Sequence, residues 1–329
     1  MIVTFGNRCC RNLILGCVML LLSGCYYMQA ARGQLDVMSK REPIDELVEA
    51  PDTPEELAER LQLVSEARQF AIDDLLLPDN DSYRSYADLG RDYVVWNVFA
   101  APEFSLQPKT WCFPVAGCVA YRGYFSEDAA RRKADQLRED GLDVAVGGIL
   151  AYSTLGRFAD PVLNTMMHWD DADLVATIFH ELAHQVLYVK DDSAFNESFA
   201  TAVEEIGIER WLNSRDQGGD FSDYIDRRER RKKTMEVIAA ARSDLEKVYA
   251  SSMAAHEMRR AKETRLTQLA NELPAEFETD LNNARLASMS LYQSHVPEFR
   301  ALYEECERKL RCFFDRASSL QPAESSRPH

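Results

Sequence analysis

The chain has 329 residues, 46% apolar and 28% charged, enough for one large globular domain or two modest ones. Acidic residues outnumber basic ones, 54 to 38, for a net charge of −16. A field of that sign repels nucleic acid and anionic headgroups, so neither is an expected partner, and nothing beyond the N-terminus is long and apolar enough to span a bilayer.

Residues 1–24 read as an export signal. Arg8 and Arg11 make a positive start, Asn12 to Leu22 make a short apolar stretch, and Leu22-Ser23-Gly24-Cys25 resembles a bacterial lipobox. In proteins with that motif the signal is cut before the cysteine, whose thiol carries a diacylglyceryl group. Cys25 is therefore the expected lipid anchor, held at about 0.8 kcal/mol per buried methylene. Tyr26 in place of Asp resembles outer-membrane sorting in Gram-negative bacteria. The expectation is an envelope lipoprotein facing the periplasm, with residues 25–329 as a single domain.

Residues 26–50 look helical, and Pro51 to Pro54 break the run. A second helix follows, capped by Thr53 with Pro54 at its first position, with an apolar face of Leu57, Leu61, Val64, Ala67 and Phe70. Pro78 to Asp81 form a loop. Asp92–Ala100 and Val119–Phe125 are rich in β-formers and predict strands. Ser126 caps a helix that ends at Gly141, and Asp143–Tyr152 predicts another strand. Helices are expected over 172–189 and Ala194–Leu212, then a long charged helical stretch over 222–270. Its basic run, Arg227 to Lys233, reads as a solvated face. Residues 276–316 look helical with a break near Pro297, and the tail from Gln321 is polar. The fold class is α+β, mainly helical.

Of eight cysteines, Cys9, Cys10 and Cys17 leave with the signal and Cys25 takes the lipid. Export favours pairing of the rest. Cys112 and Cys118 flank the turn-forming Phe-Pro-Val-Ala-Gly and predict a disulfide. Cys306 and Cys312 would lie on opposed sides of one helix, so they pair only if that helix breaks. None has metal-finger spacing.

The chemistry is concentrated at 180–197. His180-Glu181-Leu182-Ala183-His184 places two imidazoles four apart, on one face of a helix, where they can take two corners of a Zn2+ tetrahedron. Glu181 can reach a water on the metal without ligating it, which suits a general base in hydrolysis of a carbonyl compound. Two histidines need a third protein ligand. If the helix runs to Val189 and restarts near Ala194, Glu197 points back at the pair. Glu204 and Glu205 compete; Glu204, two turns along the same face, fits a partner for a ligand histidine better. His168, His256 and His295 are outside alternatives.

HELAHQ followed by NESFA resembles the gluzincin metallopeptidases, especially the aminopeptidase N type, although only twelve residues separate His184 from Glu197, fewer than those enzymes use. With the lipobox, Ala151-Tyr152-Ser153-Thr154-Leu155-Gly156, Asp160-Pro161-Val162-Leu163-Asn164-Thr165 and Asn282-Asn283-Ala284-Arg285-Leu286, the set resembles the Putative aminopeptidase family of proteobacterial lipoproteins over most of the mature chain. That resemblance implies a zincin-like fold, a small sheet packed on the HExxH helix and a helical C-terminal part. It implies Zn2+ on His180, His184 and Glu197, Glu181 as catalytic base, and a peptide substrate. The Gly-x-Met-Glu-Asn string that holds a free amine in aminopeptidase N is missing. Gly147 to Tyr152 is the candidate edge strand for an extended peptide. Tyr292 and His295 are candidate oxyanion donors, with Tyr152 and Tyr188 as alternatives. The competing reading is a non-catalytic envelope lipoprotein that binds a partner through 222–270. Glu181 separates the two, because a binding module has no need of a carboxylate facing the metal.

Overall fold

The structure is a computed structural model that describes residues 26–113, 117–151, 154, 156–190, 192–215, 218–274, 280–289 and 295–320, with the side chains of 218–221 outside the description. Cys25, Tyr152 and Tyr292 lie outside the described residues. Helix α1 (26–39) does not continue to residue 50. Pro43 forces its predecessor into extended backbone, and strand β1 (Arg41–Pro43) forms there before α2 (Ile44–Glu49). Helix α3 (Glu55–Asp73) starts one residue later than expected: Pro54 is its cap, and no side chain caps it.

Strand β2 (Ser85–Ala87) pairs antiparallel with β1, and β8 (Val162–Leu163) joins it in parallel. The second sheet has β3 (Val95–Pro102) at its centre, between β6 (Arg122–Tyr124) and β7 (Leu142–Ile149), all antiparallel. The expected strand Val119–Phe125 is two pieces. The chain leaves β5 (Gly117–Val119), in a hairpin with β4 (Trp111–Phe113), and enters the other sheet at β6. Cys112 and Cys118 face each other across that hairpin and form a disulfide. The expected strand to Tyr152 ends at Ile149. Helix α4 (Glu127–Glu139), capped by Ser126, covers one face of the second sheet through Ala130, Ala134 and Leu137.

Helices α5 (Asp171–Ala183) and α6 (Ser193–Ser214) carry the middle of the core. They approach closely at Gly207, where a Cβ would stand 2.6 Å from the Phe179 ring. Tyr86, Ala87, Val162 and Leu163 of the first sheet share this core with Leu174, Val175 and Ile178 of α5. The stretch 222–270 is two helices, α7 (Gly218–Tyr249) and α8 (Ala255–Glu272), which enclose Ile238, Ala241, Leu245 and Leu269. Helix α9 (Asn283–Met289) covers the other face of the second sheet, where Ala284 meets Phe99, Ala101 and Ala145. Pro297 sits in the first turn of α10 (Val296–Glu305), so it starts a helix rather than breaking one. The break comes at Glu307 and Arg308, both at positive φ, before α11 (Leu310–Ser319). That turn brings the Cα atoms of Cys306 and Cys312 to 5.7 Å, and they too form a disulfide. The molecule is α+β and mainly helical. Among the described residues no helix is long and apolar enough to cross a membrane.

Candidate metal centre

Helix α5 buries Leu174, Val175, Ile178, Phe179 and Leu182, while His180 and Glu181 stay half-buried and His180 meets Glu197 and Glu204 of α6. The helix was expected to reach Val189. It stops at Ala183, with His184 as its cap residue. A short-range clasp lies just beyond the ending: the Asn196 side chain donates to Val189 O and accepts from Val189 N, both at 2.7 Å. This clasp ties residue 189 to the first turn of α6, and Asp192 caps α6 by accepting from Phe195 N at 2.9 Å. Glu197 follows the clasp directly and turns into the face of α5.

His180 Nε2 lies 3.3 Å from Glu197 Oε2, and His184 Nε2 lies 3.7 Å from Glu197 Oε1. One donor atom from each of the three residues falls within 4.8 Å of the others, so the group could hold a metal ion. A tetrahedral ion with ligands at about 2.0–2.1 Å needs donors roughly 3.3–3.4 Å apart. The His180–Glu197 separation of 3.3 Å is already close to that length, His184 approaches the other carboxylate oxygen at 3.7 Å, and two imidazoles with a carboxylate match the donor chemistry of zinc.

The other ring nitrogen of His180 is engaged. Nδ1 stands 2.9 Å from Glu204 Oε2, so the tautomer protonated at Nδ1 directs the Nε2 lone pair at the group. Glu204 is braced in turn. Its Oε1 accepts from Tyr224 Oη at 3.0 Å and from Arg228 Nη1 at 2.5 Å, while Arg228 Nη2 donates to Glu205 Oε1 at 2.5 Å. The run from Arg227 is therefore not all solvated: Arg228 faces the site, and Arg227 pairs with Asp173 at 3.2 Å and Asp170 at 3.5 Å. Tyr224 and Arg228 were missed in the sequence. Their only signal is an i, i+4 spacing on a distant helix, which many solvent-facing pairs share.

Burial and the nearby charges of Glu197, Asp160 and Glu204 raise the Glu181 carboxyl to about 7, against the pull of His180. Burial lowers His184 to about 4, helped by the charge of His180. Burial also opposes charge on His180, but hydrogen bonds to Glu197 and Glu204 outweigh it and raise it to about 10. Without a metal, the proton of the pair therefore sits on His180. His184 Nδ1 is buried with no hydrogen-bond partner among the described residues.

Other candidates fall away from the group. Glu205 is committed to Arg228 and lies 3.8 Å from Arg300. His168 and His256 are exposed. His295 turns its ring to Glu298 at 2.7 Å, although its backbone N donates to Ser198 Oγ, next to Glu197. Tyr188 is exposed.

The model of a family described as "Putative aminopeptidase" matches residues 25–329, nearly the whole chain. The chain belongs to this family. No curated protein and no solved structure matches it. Membership in the Putative aminopeptidase family supports a peptidase-like function, and the matched region includes α5, α6 and the brace from α7.

Proposed function

We propose that the protein is a zinc-dependent peptidase, an aminopeptidase of the gluzincin kind on a zincin-like fold. The observation that carries this is the convergence of His180, His184 and Glu197 within 4.8 Å, with Glu181 adjoining on the same helix. When bound, the ion supplies Lewis acidity, which polarises a peptide carbonyl and makes a nearby water easier to deprotonate. The residues do the rest. Glu181 takes a proton from the attacking water and returns it to the departing amine, a task open to a carboxylate that adjoins the ligand pair without belonging to it. Glu204 holds the His180 ring and its tautomer, and Tyr224 and Arg228 hold Glu204. Metal analysis together with cleavage of a peptide library tests the reading.

A binding-only reading draws its support from the charged stretch at 222–270. Within it, α7 contributes Tyr224 and Arg228 to the histidine brace, which favours the enzyme. The reading also places the protein at the envelope, acylated at Cys25 and facing the periplasm from the outer membrane. Tyr26, the next residue, stacks on Phe113 at 5.6 Å and lies beneath Arg122 at 4.0 Å. An acyl group on Cys25 would hold the folded body at the bilayer surface with no linker between.

A further inference from the structure

The Asn282-Asn283-Ala284-Arg285-Leu286 string is a fastening. Asn282 Nδ2 donates to Val144 O at 3.1 Å, and Asn282 Oδ1 accepts from Arg285 N at 3.0 Å. Asn283 Nδ2 donates to Pro102 O and Glu103 O at 3.0 and 2.9 Å, and Asn283 N donates to Asp143 Oδ2 at 2.8 Å. Arg242 Nη1 donates to Leu286 O. Helix α9 is thus fixed on β3 and β7 at several points, and Arg285 is presented from a rigid base.

Among the described residues Arg285 itself has no counter-ion. It is half-buried, its Nε is enclosed with no hydrogen-bond partner, and no carboxylate pairs with it among the described residues. The other sheltered arginines are engaged, Arg60, Arg227 and Arg228 by carboxylates, Arg41, Arg68, Arg210 and Arg242 by backbone carbonyls, and Arg122 by the ring of Tyr26. In a chain of net charge −16, a sheltered guanidinium with no hydrogen-bond, ionic or ring partner among the described residues stands apart. Its Nη1 lies 3.9 Å from the point where a Cβ on Gly147 would stand, so the missing side chain makes the floor beneath it.

Gly147 belongs to β7, which among the described residues pairs with β3 on one side only. Ile149 O faces β3, where it accepts from Val94 N, and Val144 O faces away, where Asn282 takes it. Alternation along the strand therefore aims the N–H and C=O of Val146 and Gly148 at the open side. Gly147-Gly148 lets another backbone approach there closely. Past Ile149 the chain leads to Thr154, whose N and Oγ1 donate to Asp160, both at 2.8 Å, and then to Gly156, where a Cβ would stand 3.1 Å from Oε1 of Gln185, the residue after His184.

We propose that Arg285 is a carboxylate anchor, and that the substrates are short peptides with a free C-terminal carboxylate. The peptide pairs antiparallel with the open edge of β7, its amino end towards Glu181 and its carboxylate on the Arg285 guanidinium in a two-point bond. The inference rests on the peptidase reading above.

The test compares one alanine pentapeptide as the free acid, as the C-terminal amide, and as an amide whose last residue is Glu. On zinc-loaded wild type, kcat/KM for the acid should exceed that for the plain amide by about 10- to 100-fold. In Arg285→Ala that ratio should fall to near one. Each ratio is taken within one protein, so a loss of folded material cancels. A wild-type ratio near one overturns the anchor, as does a ratio that survives in Arg285→Ala. A Glu amide cleaved as well as the acid overturns the assignment to the C-terminus. Calorimetric binding of acid and amide to Glu181→Gln, with and without Arg285→Ala, needs no turnover. If wild type cleaves no peptide, the peptidase reading fails, while a binding preference for the acid that vanishes with Arg285→Ala still upholds the anchor. Equal binding of acid and amide overturns it.

Discussion

Replacing Glu204 by Ala removes the acceptor 2.9 Å from His180 Nδ1 and leaves the donors of Tyr224 and Arg228 without their shared partner. Two costs follow, and they can be separated. The imidazole loses the bond that fixes its tautomer and ring angle, which typically weakens metal binding about 10- to 100-fold, or about 1.4–2.7 kcal/mol. The fold loses a charge-assisted cluster that is partly open to water, with side-chain exposures of 16% for Glu204 and 22% for Arg228, so about 1–3 kcal/mol of stability should go with it. Arg228→Ala keeps the His180–Glu204 bond and should weaken zinc binding less, about 3- to 10-fold by the same reasoning. Glu197→Ala removes a ligand and should cost more than either. Zinc titration against a competing chelator gives the three affinities, and thermal melts of the metal-free variants give the stabilities. Glu204→Ala with wild-type zinc affinity would refute the brace, and Glu204→Ala losing more than Glu197→Ala would reverse the two roles.

Zinc must displace the proton that His180 carries in the metal-free protein, where its value is about 10. Uptake at pH 7 should release about one proton per ion, and affinity should rise about tenfold per pH unit between pH 7 and 9, as read by titration in buffers of different ionisation enthalpy. Because that value lies above the ordinary 6.5, the proton's contribution to metal-free stability is full below about 6.5 and is lost as pH rises through about 10, so the melting temperature without zinc should fall over that window. Glu181→Gln should keep its zinc and lose nearly all turnover, since an amide cannot accept the water's proton; full activity in that variant removes Glu181 from the mechanism. Cys25→Ser should move the protein from the membrane to the soluble fraction, and unchanged fractionation would point to a different anchor.

The part of the site that lies on one helix was legible because a four-residue spacing fixes which face two side chains share, whatever the helix packs against. Glu197 was legible for a weaker reason: a helix that returns after a short turn brings its first carboxylate back towards the pair. The structure does bring it there, but by another route, since Asn196 clasps Val189 and α5 stops at Ala183. Nothing local in Val186 to Val189, an apolar helix-permissive run, announces that ending. Tyr224 and Arg228 were illegible because their role depends on how α7 crosses α6. The strand at Arg41–Pro43 was readable from Pro43 but was overridden by the helical pattern around it. Cys306 and Cys312 were left conditional on a break, and the break is made by Glu307 and Arg308 at positive φ, a conformation that neither side chain advertises.

The central claim is that His180, His184 and Glu197 hold one catalytic zinc. Plasma mass spectrometry of the metal in purified wild type, His180→Ala and His184→Ala, run beside a peptide-cleavage assay on the same samples, tests it most directly. The account predicts about one zinc per wild-type chain, with metal and cleavage lost together in both variants. Wild-type metal content in both variants, or cleavage that continues without the metal, would contradict it.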